Sequence, residues 1–279
     1  MPRIDAHHHL WDIARRPQPW MDGSWADPLR RTFTLDDLAP HLAEHRIDGT
    51  VLVQSSSSYE ETVELCAEPG PPVELVCGWL DLTAPALDAD TLHRLPPRLG
   101  ALRHQAEDEP DPRWLVRPDV LRALGLAGEA GLVYDLLVTP RELPAAIAAA
   151  RAVPHTRFVL DHAGKPRIAA GEWQPWADLV AELARLPNVS CKVSGLVTQA
   201  DWENWRPADV LPYARHVIDA FGPGRILFGS DWPVCTLAAG YGRVVELAEE
   251  AVADLTAAER EAFFGGNARR VYVPERAGD

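Results

Sequence analysis

The sequence predicts an α/β protein of the (β/α)8 barrel type, a single domain with a long loop after its first strand. Three observations carry that reading. Eight short runs rich in Val, Ile or Leu recur along the 279 residues, each followed by a polar or glycine-containing loop and then a stretch of helical period. Eight such units fill the roughly 250 residues that this barrel takes. No G-x-G-x-x-G follows the first run and no G-x-x-x-x-G-K-[ST] loop occurs, so the phosphate-binding signatures of an open doubly wound sheet are missing.

The elements follow in order. The first strand is RIDAHH (3–8), and residues 12–32 then form a connection longer than usual, with two tryptophans, Trp20 and Trp25, a candidate lid or contact between copies of the chain. Thr34 precedes Leu35-Asp36-Asp37, a hydroxyl and carboxylate placed to cap a helix over 35–44. Strands are predicted at 50–54, 75–80, 99–104, 132–138, 157–162, 189–195 and 225–231. Helices are predicted at 59–67, 86–95, 118–126, 140–151, 175–186, 208–221 and 242–254, with Pro140 after Thr139 as a first-turn proline. A last helix starts from Thr256, stops at Gly265 and Gly266, and gives way to a turn begun by Asn267. The barrel is expected over 1–274, with 275–279 as a tail.

Composition excludes several roles. Hydrophobic residues make up 47% of the chain and charged ones 24%, enough for a large core with a soluble surface. A net charge of −14 opposes binding to nucleic acid or to an anionic membrane. No apolar run approaches the ~20 residues of a bilayer span, and MPRIDAHHHLWD lacks the layout of a secretory signal, so a cytoplasmic protein is expected. Cys66, Cys77, Cys191 and Cys235 show no C-x-x-C spacing and are read as free thiols.

Ionisable residues gather where the predicted strands end. They are His7, His8 and His9 on the first, Arg103 and His104 on the fourth, Asp135 on the fifth, Asp161 and His162 on the sixth, Lys192 on the seventh and Asp231 on the eighth. Such groups in apolar runs are costly without partners or a task, and a shared pocket at the barrel top supplies both. His7 and His9 project to one face of their strand and His8 to the other. An H-x-H pair alone is often structural, but closing the ring sets it beside Asp231 of the eighth strand. Imidazole and carboxylate together suit zinc or a similar divalent cation, and His162 can join them. Arg103, His104 and Lys192 offer positive charge for substrate hydroxyls or a carboxylate, although Lys192 equally suits pairing with Asp161 or Asp135. Trp232, adjoining Asp231, and Trp11 are candidate platforms for a sugar ring.

DAHHHLWD, LRH at 102–104, FVLDHAGKP, CKVSGL, ILFGSDWP and GGNARRVY together resemble amidohydrolase-related family 2, in particular its sugar-lactonase branch, in order and over essentially the whole chain. The resemblance implies a (β/α)8 barrel with its active centre on His7, His9, His162 and Asp231. Departures from the metal-rich amidohydrolases are the missing bridging lysine on the fourth strand and the missing histidine on the fifth, where Asp135 stands. They argue against a two-metal centre. One zinc ion on His7, His9 and Asp231, or a metal-free centre as in some related lactonases, both remain open. The activity implied is hydrolysis of a small-molecule lactone, an aldonolactone, with Asp231 as general base and the imidazoles, His162 among them, serving the carbonyl. A zinc-dependent decarboxylase and a noncatalytic carbohydrate-binding barrel are the alternatives, and a homo-oligomer is open.

Overall fold

The computed structural model describes residues 1–67 and 70–272. Its strands are β1 (Arg3–His8), β2 (Ile47–Val53), β3 (Val73–Gly78), β4 (Leu99–Gln105), β5 (Val133–Leu137), β6 (Arg157–Leu160), β7 (Val189–Val193) and β8 (Ile226–Phe228). They pair in chain order, each parallel to the next. A parallel neighbour can be reached only by running back outside the sheet. The helices do so: α1 (Leu35–Glu44), α2 (Tyr59–Ala67), α3 (Ala89–His93), α4 (Pro118–Glu129), α5 (Leu143–Ala152), α6 (Trp176–Ala184), α7 (Pro207–Phe221) and α8 (Tyr241–Ala251). The result is the (β/α)8 barrel that the sequence predicts.

The ring is joined between its first and last strands. Asp231 N donates to the His7 carbonyl at 2.8 Å and His9 N to the Trp232 carbonyl at 2.7 Å. Below them the buried carboxylate of Asp5 accepts from Ser230 N at 2.8 Å and from the Tyr241 hydroxyl at 3.0 Å. Residues 231 and 7 are thereby fixed side by side.

Local chemistry sets the element ends. At α1 the Thr34 hydroxyl accepts from Asp37 N while the Asp37 carboxylate accepts from Thr34 N, the reciprocal cap that the sequence predicts. The fifth helix starts at Leu143 and not at 140, because the Glu142 carboxylate first accepts from Thr139 N and its hydroxyl. Strands β6 and β8 stop short of their predicted ends at 162 and 231. There His162, Ala163 and Asp231 adopt φ of 51°, 54° and 59°, and left-handed residues leave the pleat.

Gly265 and Gly266 do not stop the last helix. After α9 (Ala257–Glu261) the chain passes through one π-helical turn, Ala262–Gly266, and continues as α10 (Asn267–Tyr272). Gly265 instead permits close approach, since a Cβ there would lie 2.0 Å from the Pro2 carbonyl oxygen. Helix α10 closes the barrel floor: Ala268, Val271 and Tyr272 pack with Ile4, Val51 and Val133 inside the ring. A larger apolar layer fills the space between ring and helices. All four cysteines are buried free thiols. Among the described residues no helix is long and apolar enough to cross a membrane. The predicted tail at 275–279 lies outside the described residues.

Candidate active site

Parallel strands deliver all their carboxyl ends to one rim, where β1, β4, β6 and β8 bring His7, His9, Arg103, His162 and Asp231 together. His8 turns away, its Nε2 2.9 Å from Thr50 Oγ1. The left-handed turns after β6 and β8 lift His162 and Asp231 out of the sheet and over the β1 pair. Backbone of this kind in non-glycine residues costs roughly 1–3 kcal/mol each and is found where a site holds it in place. Gly195 makes the room, since a Cβ there would lie 2.4 Å from His162 Nδ1 and 3.0 Å from Asp231 Oδ2.

One carboxylate oxygen faces three imidazoles: Asp231 Oδ1 lies 3.8 Å from His7 Nε2, 3.7 Å from His9 Nε2 and 3.9 Å from His162 Nε2. Burial pushes the Asp231 carboxyl up, but the imidazoles of His162 and His9 outweigh it and hold the group below its ordinary value. Burial lowers the basicity of His162, and that of His7 far more. At neutral pH Asp231 is therefore an ionised carboxylate, with the rings of His7 and His162 neutral beside it.

Beneath the imidazoles lies a buried ionic network. Lys192 Nζ contacts Asp135 Oδ2 at 2.5 Å and Asp161 Oδ1 at 2.9 Å, and Arg103 reaches Asp161 Oδ2 at 3.4 Å. The Tyr272 hydroxyl of α10 donates to Asp135 from below, at 2.8 and 2.9 Å to its two oxygens. His7 Nδ1 meets this network 3.3 Å from Asp161 Oδ1 and 3.2 Å from Lys192 Nζ. Burial works upward on Asp161, yet Lys192 and His7 hold its carboxyl well below the usual range. Burial prevails at Asp135, which is raised despite Lys192.

The donor set fits a single divalent cation. His9 Nδ1 faces the Val53 carbonyl at 2.8 Å, and a carbonyl only accepts, so the neutral ring keeps its proton there and turns a lone pair on Nε2 toward the site. That lone pair lies 3.2 Å from His7 Nε2. His7 Nδ1 stands between Asp161 Oδ1 at 3.3 Å, which only accepts, and Lys192 Nζ at 3.2 Å, which only donates; with its proton toward Asp161, His7 Nε2 presents a second lone pair beside that of His9, and a cation between the two satisfies both. Ligand atoms about 2.0–2.1 Å from a tetrahedral zinc stand roughly 3.4 Å apart, within the range of separations found among these side chains. His7, His162 and Asp231 offer ligand atoms all within 4.8 Å of one another; this group keeps His7 and Asp231 of the set predicted from sequence and takes His162 in, while His9 falls outside it.

A sequence profile described as amidohydrolase matches residues 4–273. The chain belongs to the amidohydrolase family. This amidohydrolase is 40% identical over 294 residues to the L-fucono-1,5-lactonase of Burkholderia multivorans, covering 99% of this chain and 97% of that one. It is 39% identical to the L-fucono-1,5-lactonase of Burkholderia ambifaria, with 98% and 96% covered. A crystal structure of a Burkholderia multivorans amidohydrolase with bound zinc superimposes with a TM-score of 0.89 at 38% identity, over 98% of this chain and 99% of that one.

Above the imidazoles the amidohydrolase has a cleft of about 300 Å³. Of the residues predicted to touch substrate, Arg103 lines it, with its guanidinium also on the Gln54 carbonyl at 2.5 Å. Lys192 does not reach it, because two carboxylates consume its ammonium beneath the floor. His104 is held aside by Trp79 Nε1 at 2.9 Å and Glu109 Oε1 at 2.9 Å, with its ring stacked on Trp114. Trp232 is buried edge-on against Phe33, and Trp11 lines a neighbouring cavity, its indole bonded to the Arg31 carbonyl at 2.8 Å. The cleft's aromatic wall is Trp20, Trp25 and Trp202, with successive rings 6.1 Å apart. None of these three is among the candidate platforms named from the sequence, Trp232 and Trp11. Glu107 and Lys165 also line the cleft and are not among the candidates named from the sequence, although Lys165 belongs to the FVLDHAGKP run.

Proposed function

We propose that this amidohydrolase hydrolyses a sugar lactone, with L-fucono-1,5-lactone as the leading substrate. The observation that carries the reading is an ionised, buried carboxylate facing three imidazoles at the base of a cleft with an indole wall. Asp231 takes a proton from water as the water oxygen attacks the lactone carbonyl carbon. Arg103, at the floor of the cleft, stabilises the negative charge gathering on the carbonyl oxygen. The tetrahedral species collapses with cleavage of the bond between the carbonyl carbon and the ring oxygen, and Asp231 returns its proton to that oxygen. The new carboxylic acid then ionises and releases one proton to solvent. Zinc, held by His7, His9, His162 and Asp231, would supply carbonyl polarisation and a more acidic water. Support for zinc comes from the donor set and from the zinc-bound relative. Four buried free thiols suit a reducing compartment, and we place the enzyme in the cytoplasm.

The test is proton release from L-fucono-1,5-lactone followed with a pH indicator, before and after chelation. Asp231→Asn is expected to lower kcat by about 10²–10⁴-fold with an unchanged melting temperature. Near-normal turnover in that variant removes Asp231 from the chemistry. Carbon dioxide release from an aromatic acid in place of lactone opening removes the lactonase reading.

A further inference from the structure

The geometry points to Glu107 and Lys165 as a paired clamp for adjacent hydroxyl groups of the substrate ring, the feature by which the cleft tells a sugar lactone from an unsubstituted one. The inference rests on the lactonase reading above and adds what selects the substrate. Lys165 Nζ lies 2.5 Å from Glu107 Oε1, and both side chains line the same cleft as Trp25 and Trp202. They are mostly withdrawn from solvent, at 22% and 17% exposure, so contacts made there meet little competition from water. Each is held in place. Lys165 has φ of 48° and follows directly on the left-handed turn that carries His162. Glu107 sits in a short turn, Ala106–Asp108, whose Glu107 carbonyl accepts from the Arg141 guanidinium at 3.1 Å.

Each group also has capacity left. An ammonium donates three hydrogen bonds and a carboxylate accepts about four. Among the described residues, the bond between them is the one side-chain hydrogen bond that either group makes. A vicinal diol fits the remainder, one hydroxyl donating to the free carboxylate oxygen and its neighbour accepting from the ammonium. The apolar face of such a ring is then offered to the indoles of Trp25 and Trp202, which line the same cleft.

The experiment compares kcat/KM for L-fucono-1,5-lactone and for δ-valerolactone, which has no hydroxyl groups, in the wild type, Glu107→Gln and Lys165→Met. Calorimetric binding of L-fuconate is measured alongside, and thermal melts check folding. The expected result is a fall of about 10–100-fold in the ratio of the two kcat/KM values in each variant, carried by KM, with a matching loss of L-fuconate affinity. If both lactones open and neither the ratio nor the affinity moves, the pair only braces its loops and the clamp is overturned. If neither lactone opens, the lactonase reading fails on its own, while L-fuconate binding still decides whether the pair reads hydroxyls.

Discussion

A lysine ammonium withdrawn entirely from water is tolerated only where carboxylates surround it, and Lys192 has two. Removing it strands Asp135 and Asp161 in the barrel interior. Lys192→Met is therefore expected to cost about 3–5 kcal/mol, read as a lower urea midpoint, while KM of whatever remains folded is unchanged because the side chain does not line the cleft. A raised KM with normal stability would place it at the substrate after all. Its assignment shows where residue-level reading of a sequence stops. His7, His9, His162 and Asp231 could be gathered because alternation along β1 and closure of the ring decide which side chains converge. Whether Lys192 points at substrate or at Asp161 depends on its height in the barrel, and alternation says nothing about height. Trp232 was favoured for its place beside Asp231, yet a left-handed turn sends consecutive side chains apart, and Trp232 goes into the packing around Phe33.

At the scale of elements, all eight strands and helices α1–α8 lie within three residues of their expected positions, because each is bounded by a proline, a cap or the end of an apolar run. Of the strands predicted to run further than they do, β6 and β8 end at left-handed turns built without glycine at the turning residue, so the usual sequence signal is missing. The opposite error occurred at Gly265, where glycine marks a close crossing and not a helix end. Gly265→Ala should force α10 away from β1 and cost about 1–3 kcal/mol in chemical denaturation. Gly125→Ala lies inside α4 with only ordinary contacts and should gain roughly 0.5–1 kcal/mol under the same conditions. Equal effects at the two positions would mean that the crossing relaxes freely.

For the whole molecule, the decisive join is that between β1 and β8, and Asp5 is set into it. Burial raises its carboxyl to about 6, against the bonds from Ser230, His7 and Tyr241 that act downward. The protonated group thus favours the folded state fully below its ordinary value of 3.8, and that contribution is lost as pH rises through about 6. Measured as the difference in unfolding free energy between wild type and Asp5→Asn, stability should fall by about 2–3 kcal/mol from pH 4 to pH 7. A difference that does not change with pH would show that the carboxyl titrates normally. The same join has a bearing on how the protein is made. Vectorial synthesis delivers β1 before the other seven strands, yet its outer edge finds a partner only once β8 has left the ribosome, and the floor is sealed later still by α10. Until β8 is made, the nascent sheet carries an open edge of the kind that invites mispairing, and the contact that sets Asp231 beside His7 forms only after it.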